Sequence, residues 1–302
     1  MAYLREVDLE NTNLTEPQKE LLRWHQRLGH FNCQWIQNLM RNKREGSDPI
    51  LPTKHTQTSC CRAPLCGSCL AGKQHLKGSG ATNGTKVAFM NIKKWDLVPG
   101  QHVSVDQYES RILGRLAHTK GKEKSSTQLK GGTLFVDHAS GKMFIRHQAT
   151  LGASDTVQAK RAFERDSATC GVTIQNYRGD NGVFKSEEFL KELEVRAQSI
   201  KFSGVGAHHQ NGVAERAIRT VVESARTMML HVAIHWPEQS DLCLWPFALS
   251  YAVFLYNHMP ARDSGWAPIE IFCGAKLDPR ILRNARVWGC PAYVLDPTLQ
   301  DG

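Results

Sequence analysis

Residues 204–220 read Gly204-Val-Gly-Ala-His-His-Gln-Asn-Gly-Val-Ala-Glu-Arg-Ala-Ile-Arg-Thr220, and their reading decides the fold. A loop with Gly204, Gly206 and Gly212 leads without proline into a run of good helix formers. Ala214, Ala217, Ile218, Val221, Ala225, Met228 and Met229 recur at steps of three and four, the spacing of one buried helical stripe. Glu215 stands one position off that stripe. At roughly 100° per residue, Arg219, Val222 and Arg226 share its face. Taken alone, a carboxylate in a first turn is a favourable charge for the helix dipole and nothing more.

Two further carboxylates change that reading. Thr173 to Tyr177 alternates as a strand does, and Gly179-Asp-Asn-Gly182 breaks it, so Asp180 stands just past a strand end. Gln101-His-Val-Ser-Val-Asp106 gives a short strand closed by Asp106. Groups from two strand ends and one helix start can converge at one edge of a mixed sheet and bind divalent cations through oxygen. Two such metals, roughly 3.5–4 Å apart, activate an attacking oxygen and stabilise a leaving one on a phosphodiester. Asp137 ends another strand and competes with Asp106 for that place.

The series Asp106…Asp180-Asn-Gly…Asn211-Gly-Val-Ala-Glu215-Arg resembles the catalytic core of copia-type retrotransposon integrases. The resemblance implies an α/β, RNase H-like core: a mixed five-stranded sheet with flanking helices, preceded by a small zinc-binding helical domain. It implies a carboxylate triad of Asp106, Asp180 and Glu215 holding two Mg²⁺ (or Mn²⁺), and joining of element DNA 3′ ends to target DNA. Asp137 then falls in a structural Val-Asp-His-Ala-Ser turn. The spacing from Asp180 to Glu215 leaves 34 residues between, one short of the family's usual count, and His208-His209 replaces a common proline-containing turn. Neither departure removes a ligand.

The chain has 302 residues, 41% of them hydrophobic, and carries a formal net charge of +9. No apolar run approaches the eighteen or so residues of a spanning helix, which points away from a membrane. The polar N-terminus reads as no signal peptide. The positive balance favours a polyanionic partner, here DNA. Nine cysteines without a secretory signal suggest a reducing, intracellular setting, with metal ligands and buried thiols expected over disulfides. The family resemblance adds the nucleus, cytoplasmic element particles and self-association.

In chain order, residues 1–19 form a polar lead-in, with Thr15 or Asn13 capping a helix from Glu16 to about Leu28. His25 lies on that helix and His30 just past Gly29, so the pair can converge if His30 sits in the turn. Cys66-x2-Cys69 can place two thiolates on one tetrahedral zinc. His25, His30, Cys66 and Cys69 together resemble the zinc domain that precedes copia integrase cores, so residues 20–72 are expected to hold one Zn²⁺. Cys60 or Cys61 could substitute, and Cys33 reads as a core thiol. Residues 73–94 form a basic linker and residues 95–235 the catalytic core.

Within the core, Arg111 to Gly131 reads as a basic loop, Gly132–His138 and Lys142–His147 as a hairpin, and Ser154 as the cap of a helix. Residues 236–302 form an apolar helical extension whose Cys243, Cys273 and Cys290 are structural. Arg219, with Arg216 and Arg226, is placed to meet phosphates, which guanidinium binds bidentately. Two other functions use the same residues: a catalytically inactive nucleic-acid-binding remnant, and a hydrolytic nuclease. A zinc adaptor on a look-alike core is a third.

Overall fold

Three antiparallel strands continued by two parallel ones form the sheet of the computed structural model, which describes residues 13–41, 49–74, 97–116, 128–203, 211–262 and 264–293. Strands β1 (Val103–Gly114), β2 (Leu129–Asp137) and β3 (Met143–Gln148) pair antiparallel; β4 (Asn176–Gly179) pairs parallel with β1, and β5 (Ser199–Phe202) parallel with β4. The spatial order is β3-β2-β1-β4-β5. This is the mixed five-stranded sheet expected of an RNase H-like core.

Period-two alternation sorts the two faces. Val103, Val105, Phe135 and Tyr177 point to one side, where Phe163 of α4 (Ala153–Thr169) and Phe189 and Leu193 of α5 (Glu187–Val195) close a core. Leu134, Val136 and Met143 point to the other. There they meet Ala217, Val221, Ala225 and Met228 of α6 (Gly212–His235), with Ala248, Leu249, Ala252 and Val253 of α7 (Trp245–His258). The stripe read from the sequence is thus the sheet-facing side of α6, with Ile218 and Met229 partly buried at its margin.

A third core joins chain ends. Helices α1 (Glu16–Arg27) and α2 (Cys33–Arg41) contribute Leu21, Trp24, Leu28 and Ile36, packed with Leu255, Met259 and Leu282, the last on α9 (Arg280–Arg283). Thr15 caps α1, its backbone N–H donating to Gln18 Oε1 at 3.1 Å. Helices α3 (Gly67–Gly72) and α8 (Pro268–Cys273) complete the described α-helices. No described helix is long and apolar enough to cross a membrane.

Four expectations change. Asp106 does not close its strand: β1 continues to Gly114, so residues 111–114 and 129–131 are strand where a loop was expected. Tertiary contact supplies the reason, because Trp245 Nε1 donates to the Ile112 carbonyl and Arg115 N to the Cys243 carbonyl, holding the far end of β1 against α7. Strand β4 starts at Asn176, not Thr173, because Gln175 N bonds the Gly100 carbonyl outside the ladder. Gly152, not Ser154, caps α4. Finally, Cys170 and Cys273 form a disulfide across a Cα separation of 4.7 Å. Composition argued for thiols; the fold instead sets the end of α4 against the end of α8, within disulfide reach. The linker, most of the basic loop (117–127) and residues 204–210, with His208 and His209, lie outside the described residues.

Strand β3 is an edge whose exposed backbone α7 covers. Asn257 Oδ1 accepts from Met143 N at 2.8 Å, and its Nδ2 donates to the Met143 carbonyl at 2.7 Å. Removing both partners from a buried backbone leaves its groups unsatisfied, at about 1–3 kcal/mol each. Asn257→Ala should therefore lower unfolding free energy by about 2–6 kcal/mol in urea titrations. A loss below about 0.5 kcal/mol, the usual size of a surface change, would show that β3 does not depend on this clamp.

Candidate functional site

Two groups of polar side chains sit on α6, one at its start and one against its middle. At the start, Asn211 is buried, and its Nδ2 donates to the Val105 carbonyl at 3.1 Å. Val105 immediately precedes Asp106, so this one amide ties the helix bearing Glu215 to the strand bearing Asp106. Asp180 follows β4 in a turn that is also fastened: Asn181 Nδ2 donates to the Ser203 carbonyl at 2.9 Å, and Asp180 Oδ1 accepts from Gly182 N at 3.1 Å.

Electrostatics register the convergence of these three carboxylates. The Asp106 carboxyl is pushed up to about 6, first by burial and then by the negative charges of Asp180 and Glu215. Among the described residues no Lys, Arg or His forms an ion pair with any of the three. Three oxygen donors without a protein counter-charge suit a hard divalent cation. The described residues also hold a histidine–cysteine group whose donor atoms all lie within 4.8 Å of one another.

Asp137 contrasts with the three carboxylates. It is fully buried, and its oxygens accept from Gly100 N, Ser140 N and Ser140 Oγ at 2.7–2.8 Å. Its charge is spent on the turn between β2 and β3. It pairs with Val103 at the other end of the β1 segment that carries Asp106.

Against the middle of α6, His25, His30, Cys66 and Cys69 bring their donor atoms together. Gly29 and His30 both take positive φ, 63° and 62°, which swings His30 back beside α1. Glycine suits position 29, because its φ of 63° strains other residues and a Cβ would press to 2.7 Å of Leu255 Cδ1. His25 Nδ1 lies 2.6 Å from the Phe31 carbonyl, so Nδ1 carries the proton and Nε2 turns a lone pair inward. His25 Nε2 is 3.2 Å from both His30 Nδ1 and Cys69 Sγ; His30 Nδ1 is 3.4 Å from Cys66 Sγ and 3.7 Å from Cys69 Sγ. Tetrahedral ligands at zinc bond lengths stand about 3.3–3.8 Å apart, so the donor set fits that ion. The hydrogen bond from Cys66 and the charge of Lys73 hold the Cys69 thiol low, toward the thiolate a metal needs.

Cys60 and Cys61 lie outside this group. Glu20 accepts from Lys54 N, His55 N and Thr58 Oγ1, which pins their segment against α1 instead. Cys33 packs against the third core, with Sγ 3.8 Å from His25 Nδ1.

The quartet is seated directly on α6, which the sequence did not announce. A Cβ on Gly72 would lie 2.8 Å from Thr227 Cα, so glycine allows α3 to touch the α6 backbone. Arg226 Nε donates to the Gly72 carbonyl at 2.7 Å, Ser224 Oγ to the Gly29 carbonyl at 3.0 Å, and the His231 ring packs at a tilt against that of His30, centroids 5.1 Å apart. Arg226, expected to face phosphates, thus spends part of its guanidinium on this joint. Arg216 and Arg219 are exposed.

The raised Asp106 carboxyl has a testable sign. Its unfolded value is near ~3.9, so between that pH and about 6 the folded protein keeps a proton that the unfolded chain has lost. The contribution to stability is present below that window and falls as pH rises through it. Glu215→Gln or Asp180→Asn removes one repelling charge, and carboxyl NMR should then find Asp106 titrating lower than in the parent. An unmoved Asp106 in both variants would mean that the three groups share no site.

No protein-family model matches the chain. It is 24% identical over 279 residues to the "Retrovirus-related Pol polyprotein from transposon RE2" of Arabidopsis thaliana, covering 89% of this chain and 16% of that protein. It is 24% identical over 281 residues to the corresponding polyprotein from transposon TNT 1-94 of Nicotiana tabacum, covering 92% and 18%. The HTLV-2 integrase catalytic core domain, solved in complex with magnesium, aligns at 16% identity and a TM-score of 0.41, covering 58% of this chain and 98% of that one. So loose a superposition carries no argument, and the fold rests on its own strand order. The chain is a relative of the retrovirus-related Pol polyproteins of plant transposons and spans less than a fifth of their length.

Proposed function

We propose that this chain is the integrase segment of a copia-type element and joins element DNA 3′ ends to target DNA. What supports this reading is that the charges of Asp180 and Glu215 reach the half-buried Asp106 carboxyl and raise it, with no described cation paired to any of the three. Those three carboxylates would hold two Mg²⁺ (or Mn²⁺). Bound there, the metals would supply Lewis-acid activation of the attacking oxygen and stabilisation of the leaving one. The chain's own part is to hold the ligands still: the Asn211 amide fixes helix to strand, and the Asn181 amide fixes the Asp180 turn.

Arg216 and Arg219, exposed within the first turns of α6, would meet phosphates beside the reacting bond. His25, His30, Cys66 and Cys69 would hold one Zn²⁺ in a structural role, since four protein ligands leave no open position. DNA and further copies of the chain are the partners this reading requires, in an intracellular setting.

Strand transfer of pre-processed DNA ends in Mg²⁺ tests the proposal. The parent should give joined products, and Asp180→Asn should lose at least about a hundredfold in rate, as removal of a group that stabilises transition-state charge does. Cleavage without joining would make the chain a hydrolytic nuclease. Binding without either reaction would make it a non-catalytic remnant.

A further inference from the structure

The sheet face that carries Asp106 continues beyond it. Backbone pairing sets Ser104 beside Arg178 on β4, and Arg178 beside Lys201 on β5. Opposed residues in a ladder share a face, and alternate residues along a strand do too. Asp106, Ser104, Arg178 and Lys201 therefore project from the same side as Leu134 and Val136, the side packed by α6. Helix α6 lies on β1 and β2, and α7 on β3. Arg178 and Lys201 are exposed, while Tyr177 is buried and Ile200 half-buried in the opposite core. The same two strands thus bury one face and open the other.

These two cations differ from several others on the domain, which are paired. Arg161 and Arg196 pair with Glu192, Lys142 with Asp166, and Lys191 with Glu187. Among the described residues, Arg178 and Lys201 have no such partner. Their field is felt nearby: burial and Lys201 lower His102, and burial, His102 and Arg178 lower His138, against the opposing charge of Asp137. Asp137 is already committed to Gly100 and Ser140, so it does not neutralise the row.

Strands spaced about 4.8 Å apart, rising about 3.3 Å per residue, put the backbones of Arg178 and Lys201 about 8 and 12 Å from that of Asp106. At about 3.4 Å of axial rise per nucleotide, that is two to four nucleotides along a strand. The geometry points to a phosphate-binding ledge: Arg178 and Lys201 hold the DNA sugar-phosphate backbone a few nucleotides from the bond placed at Asp106, Asp180 and Glu215. The occupant follows from charge complementarity, in a chain of net charge +9 whose open sheet face offers unpaired cations. Such contacts set register and orientation without reading sequence. The inference rests on the DNA-joining reading.

Fluorescence anisotropy with a short labelled duplex, in magnesium-free buffer between roughly 50 and 200 mM salt, tests it. Each of Arg178→Gln and Lys201→Gln should flatten the slope of log affinity against log salt by about 0.9, and the double variant by about 1.8. Arg178→Lys and Lys201→Arg should keep the parent slope, and thermal melting should stay unchanged because both side chains are exposed. A parent that binds with a steep slope and a double variant that matches it would overturn the ledge and leave the DNA reading standing. A parent without salt-dependent DNA binding would overturn both.

Discussion

Helix α6 is fixed at two points: by Asn211 to the strand carrying Asp106, and by the Gly72–Thr227 contact to the histidine–cysteine quartet. Between these points its Ala217, Val221, Ala225 and Met228 stripe lies on the sheet. Small residues in that stripe let the helix backbone come close, and close packing leaves few alternative positions. One rigid rod therefore relates the first turn, with Glu215, to the metal-fitted cluster beside its middle. The N-terminal helices are not an appendage, since Leu21, Trp24 and Leu28 share a core with Leu255 and Leu282 from the far end of the chain.

The two polar groups on this rod obey opposite electrostatic rules. In the quartet, two imidazoles and two thiols stand at tetrahedral spacing, with the second nitrogen of His25 engaged by the Phe31 carbonyl. At Asp106, burial and the like charges of Asp180 and Glu215 oppose ionisation of the carboxyl. Asp137 shows how the same side chain is treated when its task is structural: three donors satisfy it, and no neighbouring carboxylate competes.

Much of this was legible in the sequence. The apolar period of residues 214–229 gave the sheet-facing side of α6, Thr15 the start of α1, and the His30 turn the closure of the quartet, because each is a local signal. What was not legible depends on distant contacts. Strand β1 outruns Asp106 because Trp245 and Cys243, more than a hundred residues away, hold its end. The Cys170–Cys273 bond arises from the juxtaposition of two helix ends. The partial diversion of Arg226 to the Gly72 carbonyl depends on which helix lies alongside, and helical periodicity cannot name a neighbour.

Amide hydrogen exchange along α6, first with one equivalent of Zn²⁺ added and then with a chelator, tests most directly whether the quartet holds the helix that bears Glu215. The account predicts that chelation speeds exchange of residues 224–231 by at least about tenfold, with a smaller rise reaching the first turn at Glu215. Unchanged protection throughout α6, while α1 to α3 lose theirs, would contradict it and leave the quartet a local clasp with no hold on the carboxylate helix.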